Sequence, residues 1–316
     1  MNRDRKILLA ITACGLIARV AAFGVWPALS EQDTDGYLGI AESLVEGNGY
    51  ANGATGRSTA FRPPLFPALI ALFSFLPFGF QILQVGAGTV SVWLTGIIGN
   101  RLRIRLPWLP AAAVAFDPIL IAYTPRAMTE VVSALTIAVL LWMLGPIKQK
   151  PTCLRTFCVG FVFGLAVLCR PTVLAVLPFA GLILLLETRH IARGDVFRRG
   201  ICAIGGAATL IAPWTARNVV ALKSPVFATT HGGYTLLLGN NPEFYETVAR
   251  GSWKTVWNSL PWQAALRDDL SASNVDVEDE VAVDRWMYDR AKSNIRSDPS
   301  SFVAACVVRV RRLWNF

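Results

Sequence analysis

A chain of 316 residues with 53% apolar and 16% charged side chains carries too little polar surface for a soluble domain and reads as an all-α polytopic membrane protein. The net charge of +9 does not mark a nucleic-acid binder, because lysines and arginines fall in short runs between apolar stretches and not on one folded face. The six cysteines lie in or beside apolar stretches without CxxC spacing or a nearby histidine pair, so they are expected to be small hydrophobes, not metal ligands or disulfides.

The chain opens MNRDRK, followed by an apolar run over 7–29 that lacks a small-residue cleavage site. This predicts an uncleaved first span with a cytoplasmic N-terminus, which places residues 31–67 outside. That stretch opens with Glu31, Asp33 and Asp35 and closes with Phe61-Arg62-Pro63-Pro64. Between them Tyr37, Ile40, Ala41, Leu44 and Val45 fall at i, i+3, i+4, i+7, i+8 and predict an amphipathic helix. Asp33, Thr34 or Asp35 suits its N-cap, which would explain one acid but not both. The apolar run 65–80 is short and carries Pro67 and Pro77, so it is expected to lie in the outer interface. A full span there would leave Arg101, Arg103 and Arg105 on the outer side.

Runs 82–99, 107–123, 129–147, 152–169, 171–186 and 200–214 complete seven expected spans. The basic loops 101–105, 148–155 and 187–199, the last with Arg189, Arg193, Arg198 and Arg199, are then cytoplasmic. The 152–186 interval is too long for one helix and has basic loops at both ends. A hairpin reversing at Arg170-Pro171-Thr172 satisfies both facts, with proline at a helix start. The expected division is a transmembrane bundle over 1–214 with its first outer loop at 30–81, an outer region over 215–301, and a juxtamembrane end at 302–316. The outer region has turn chemistry at His231-Gly232-Gly233 and Gly239-Asn240-Asn241-Pro242, and Trp253, Trp257 and Trp262 as interfacial anchors or sugar-stacking surfaces. An acidic run at 276–280 leads into a predicted helix over 281–296. The closing RVRRLWNF reads as a juxtamembrane helix about to continue, the mark of a short or truncated chain. GxxxxGK[ST], HExxH and GxSxG are all absent from the sequence.

This threading collects the unusual polar residues at one membrane face: Asp33, Asp35 and Arg62 in the first outer loop, Arg126 and Glu130 in the second, Arg170 in the third, and Arg217 and Asn218 after the last span. Ionisable groups are costly there unless paired or solvated, and the positive-inside bias works against outer arginines. Each arginine alone suits a snorkelling role; together they suit an anion, such as a lipid phosphate, beside a carboxylate that takes a proton from a hydroxyl.

In order, the chain carries D-x-D-G-Y-(x3)-A-E-x-L, F-R-P-P-L-F-P, Y-x-x-R-x-M-T-E, R-P-T, P-W-x-x-R-N and G-G-Y-x-L-x-L-G-N-N-P. Over about residues 7–245 this set resembles bacterial members of glycosyltransferase family 39, relatives of dolichyl-phosphate-mannose–protein mannosyltransferases and of the lipid A aminoarabinose transferase. The resemblance implies a GT-C helix bundle in the bacterial inner membrane, and inverting transfer from a polyprenyl-phosphate sugar to a protein, lipid A or other glycan acceptor on the outer face. It implies that a first-loop aspartate is the catalytic base. Counting back from Tyr37 favours Asp33, but Thr34 stands where the family commonly has Glu and Asp35 follows, so either aspartate fits. It also implies that Arg62 binds the donor phosphate, assisted by Arg170 or Arg126, and that Glu130 is the second-loop acid. Phe61 stands where some relatives carry a further acid. The resemblance implies no certain cofactor and leaves a divalent metal open. From another class, a transporter or flippase of a lipid-linked anion would share the outer arginines, but no internal repeat is present and the charges gather at span ends. A third expectation is an inactive truncated scaffold.

Overall fold

The computed structural model describes residues 3–144, 152–177, 193–251 and 255–313, among which the chain is all-α with one isolated bridge between Ala51 and Ser58. Parts of the 148–155 and 187–199 loops, Arg189 among them, lie outside the described residues, as do most of the 171–186 run, the end of the 129–147 run, Trp253 and the last three residues. Contacts divide the chain into two units, Met1–Ala228 and Thr229–Phe316.

In the first unit, α1 (Arg3–Val25) and α4 (Gly79–Arg101) are 23 residues each and are long and apolar enough to cross a membrane. Helices α7 (Glu130–Leu144) and α8 (Cys153–Cys169) are shorter, at 15 and 17 residues. The amphipathic segment of the first loop forms α2 (Tyr37–Val45), and the proline-bounded run after it forms only the nine-residue α3 (Leu65–Phe73). The last helix of the unit, α9 (Arg193–Leu222), runs 30 residues through Pro213. It carries Arg217 and Asn218 within its closing turns, whereas the sequence reading put them after the helix.

The predicted span over 107–123 is corrected: it is two short helices, α5 (Leu109–Ala115) and α6 (Pro118–Tyr123). Asp117 ends the run by accepting a hydrogen bond from Leu120 N at 2.9 Å, with Pro118 behind it at the first helical position, where proline is favoured. From α1, Arg19 closes the break. It is fully buried, and its Nη2 donates to Val114 O at 2.9 Å while Nη1 donates to Ala115 O at 3.2 Å and Gly15 O at 3.0 Å. The Val114 and Ala115 carbonyls belong to the last turn of α5, where helix carbonyls lack intrahelical partners and a cation suits the helix end, while Gly15 lies one turn back in α1. Gly88 of α4 makes the room, since a Cβ there would collide with the Arg19 side chain.

Helix α8 packs along α9 through small residues. A Cβ on Gly160 would collide with the Ala203 carbonyl, and one on Gly206 with the Phe157 carbonyl, while Gly164 faces Ala207. Backbone-to-backbone contact of this kind gains close packing where apolar surroundings give no hydrophobic drive. Helix α4 packs on α1, α5 and α7, and α2 packs on α3. Tyr37, Ala41, Phe66, Ile70, Leu83, Ala87, Val131, Val132 and Cys169 thus share one core at an end of the helices.

The second unit holds α10 (Gly232–Leu238), α11 (Leu260–Ala272), α12 (Glu280–Ser297) and α13 (Pro299–Leu313). The His231-Gly232-Gly233 turn of the sequence reading is the start of α10. Its tight approach to α12 needs glycine: Gly233 N donates to Asp284 at 2.6 Å, and a Cβ on Gly233 would collide with the Asp284 backbone. The acidic run leads into α12 as expected, with Asp279 capping Val281 N and Ala282 N. Leu237, Leu266 and Ala291 form the core, flanked by Tyr234, Trp262 and Trp286. Trp257 and Trp262 are half-buried neighbours with ring centroids 5.8 Å apart, and the Trp257 indole donates to Glu243 at 3.1 Å.

Asp298 joins α12 to α13. It accepts from Ser301 N at 3.0 Å and Ser300 Oγ at 2.8 Å and pairs with Arg250, and these contacts, the Ser301 amide first, hold its carboxyl down from 3.8 to about 2. A depressed carboxyl stabilises the fold fully above its unfolded value and loses that contribution as pH falls through the folded one. Asp298→Asn is therefore expected to lower the thermal midpoint above pH 3.8, and the gap from the unsubstituted protein to close as pH falls towards 2. Near-UV circular dichroism of the full chain measures it; a gap independent of pH would show that the carboxylate charge is not what holds the joint.

Candidate functional site

The first loop is built so that its two aspartates do different things. Gly36 occupies the cap position of α2 with φ +77°, a left-handed conformation that suits glycine. It bends the chain so that Asp33, three residues earlier, caps from outside the usual position. Its Oδ1 accepts from Leu38 N at 2.9 Å and its Oδ2 from Gly39 N at 2.8 Å. Asp35 turns the other way, to Arg62, with Nη2 to Oδ1 at 3.0 Å. Arg62 Nε also donates to the Asp35 carbonyl at 2.8 Å, so the guanidinium is tied to both the backbone and the side chain of one residue.

Arg62 is held from further sides. Its guanidinium carbon lies 5.3 Å from the centroid of the Tyr37 ring and 4.8 Å from that of Phe61, an arrangement that orients a planar cation. Its own carbonyl and that of Pro63 accept from the Tyr50 hydroxyl at 2.9 and 3.1 Å. Tyr50 packs edge-on against Trp214 at 4.9 Å, and Arg217 of α9 donates to the carbonyls of Thr59, at 2.7 Å, and Tyr50. Asn218, fully buried, donates to Val226 O at 2.9 Å. Arg217 and Asn218 therefore bond backbone carbonyls that shape the first loop and the chain after α9. Gly53 completes the loop: it approaches Gly39 of α2 so closely that a Cβ would stand 2.6 Å from the Gly39 Cα.

A second acid–arginine pair is formed by Glu130, the first residue of α7, and Arg170, the residue that ends α8, at 2.9 Å. The Arg170-Pro171 break falls where the sequence placed it, and Pro171 opens a 3-10 turn over Pro171–Val176. The other oxygen of Glu130, Oε2, is buried without a hydrogen-bond partner among the described residues. Gln84 of α4, fully buried, anchors the second loop by donating to Arg126 O at 2.9 Å and Met128 O at 3.3 Å. Arg126 itself is exposed, stacked 5.6 Å from the Tyr123 ring centroid.

Tyr37 lies beside the first pair and shares a core with Cys169, which neighbours the second. Tyr37 is buried, edge-on to Phe66 at 5.2 Å. Burial pushes its hydroxyl up to about 12 against the pull of Arg62, so it stays protonated at neutral pH. Its electrostatic neighbours include Asp35, Arg62 and Cys169, and those of Cys169 are Arg170 and Glu130. Asp35, Arg62, Tyr37, Glu130 and Arg170 are thus brought together, with Asp33 at the head of the same helix. Sequence reasoning missed Tyr50 and Gln84, which belong to no motif and bond backbone carbonyls distant in the chain.

Two guanidinium forks, each facing a carboxylate, are suited to an anion with several oxygens. Among the described residues no three His, Cys, Asp or Glu side chains converge to hold a metal ion. Comparison with protein-family models, curated proteins and solved structures finds no match.

Proposed function

We propose that the chain is a membrane glycosyltransferase that moves a sugar from a polyprenyl-phosphate donor to an acceptor hydroxyl on the outer face of a bacterial inner membrane. The observation that carries the reading is a set of two acid–arginine pairs, Asp35–Arg62 beside Tyr37 and Glu130–Arg170 beside Cys169, flanking the one core that Tyr37 and Cys169 share. Two helices are long and apolar enough to cross a membrane, and large apolar side chains such as Ile17, Leu154, Ile204 and Val220 lie exposed along the helices, which supports a GT-C type bundle in lipid.

The chemistry is a single displacement. Asp33 or Asp35 takes the proton of the acceptor hydroxyl as its oxygen bonds to the anomeric carbon. The bond from that carbon to the phosphate oxygen breaks, and the lipid phosphate leaves with the electron pair. Arg62, assisted by Arg170 or Arg126, stabilises the charge growing on it, and a guanidinium stays charged at any working pH. The unpartnered Oε2 of Glu130 offers an acceptor for a sugar hydroxyl. The acceptor is a protein, lipid A or another envelope glycan.

The full chain, purified in detergent with polyprenyl-phosphate sugars extracted from a bacterial envelope, is expected to release free polyprenyl phosphate, read by mass spectrometry. Absence of release with every sugar tried, or full turnover by the Asp33→Asn, Asp35→Asn double variant, would overturn the reading.

A further inference from the structure

Arg62 is an unusually complete anion seat with an anion of the protein already in it. Its side chain is only 12% exposed, and it is fixed by the Asp35 carbonyl at Nε and by two aromatic rings. Its Nη2 is taken by the Asp35 carboxylate, while Nη1 has no hydrogen-bond partner among the described residues. Asp35 has no other side-chain partner among the described residues, in contrast to Asp33, whose two oxygens are both held by backbone amides.

We propose that Asp35 is an internal occupant of the phosphate seat: a polyprenyl phosphate binds by displacing the Asp35 carboxylate from Arg62, and Asp35 thereby sets donor affinity as a positioning residue. The proposal rests on the donor reading above for the class of ligand. A phosphate offers the same fork two oxygens where Asp35 offers one, and so can use Nη1 as well as Nη2. Because Nε is anchored to a backbone carbonyl, the guanidinium stays in place when the carboxylate leaves. This leaves Asp33, already fixed at the head of α2, to face the acceptor.

The test is binding of decaprenyl phosphate, with decaprenol as the uncharged control, to the full chain in lipid nanodiscs. Asp35→Asn is expected to bind decaprenyl phosphate about tenfold more tightly, the gain when a competitor filling the seat about nine-tenths of the time is removed. Asp35→Glu, which keeps a competing carboxylate, is expected to stay near the unsubstituted affinity. Glu42→Gln, which removes an equal charge from the exposed face of α2, is expected to change nothing. Arg62→Gln is expected to erase the preference for phosphate over alcohol. In turnover, Asp35→Asn is expected to lower the donor KM, which a merely structural role would not do. Equal or weaker phosphate binding by Asp35→Asn, with its thermal midpoint intact, sinks the proposal alone. If no form of the protein prefers decaprenyl phosphate to decaprenol, the proposal falls together with the donor reading. If Asp35→Asn binds more tightly but no sugar is transferred by any form, the seat stands and the transferase reading falls.

Discussion

Arg19→Leu is expected to lower the unfolding free energy of the protein in detergent by about 3 kcal/mol, one of the largest single-residue effects in the chain. Leucine fills much of the volume, so the loss is not a cavity effect. It comes from the carbonyls of Val114 and Ala115, which end α5 and are bonded by the Arg19 guanidinium at 2.9 and 3.2 Å. Without that donor both are left buried, and each unpaired buried group costs about 1–3 kcal/mol. Arg19→Lys should fall between, because an ammonium lacks the fork that reaches Gly15, Val114 and Ala115 together. Tryptophan fluorescence during titration with SDS measures the series. An unchanged midpoint in Arg19→Leu would mean that Asp117 and Pro118 alone hold the break between α5 and α6.

That break also shows what was legible in the sequence. Asp117-Pro118 is a readable helix start, an N-cap followed by proline, but the reading of 107–123 as one span rests on hydropathy alone. Arg19 was unreadable for a different reason: an arginine inside an apolar run says that a partner exists, not that it lies 95 residues away. Local signals fared better. The apolar spacing from Tyr37 to Val45 defined α2, and Arg170-Pro171 marked the end of α8, since both depend only on neighbours along the chain.

The candidate site divides along the same line. The residue types were visible, because arginines and acids stand out in an apolar sequence. Their pairing was not: Asp35 and Arg62 are 27 residues apart, and nothing in the sequence says that Asp35 takes the arginine while Asp33 takes the helix. The conformation of Gly36 decides it, by turning Asp33 back onto α2. Arg217 stood out in the sequence by its charge, yet it bonds the carbonyls of Thr59 and Tyr50 and holds the loop in shape.

Arg62→Gln is expected to reduce kcat/KM for the polyprenyl-phosphate sugar by about 10²–10³-fold, the loss typical of one preorganised group facing charge that develops in the transition state. Glutamine keeps a neutral hydrogen-bonding head on a shorter stem but removes the charge, the fork and the stacking on Tyr37 and Phe61. The loss should appear in kcat as well as in KM, because the phosphate gains charge only as the anomeric bond breaks. Arg62→Lys, a point charge without the fork, is expected to recover only part of it. Arg170→Gln provides the comparison. Arg170 is 41% exposed against 12% for Arg62, so solvent screens it more and its removal should cost less, about tenfold. Steady-state rates of the three variants decide between the pairs: a larger loss from Arg170→Gln than from Arg62→Gln would move the phosphate to the Glu130–Arg170 pair and leave Arg62 a structural tie to Asp35.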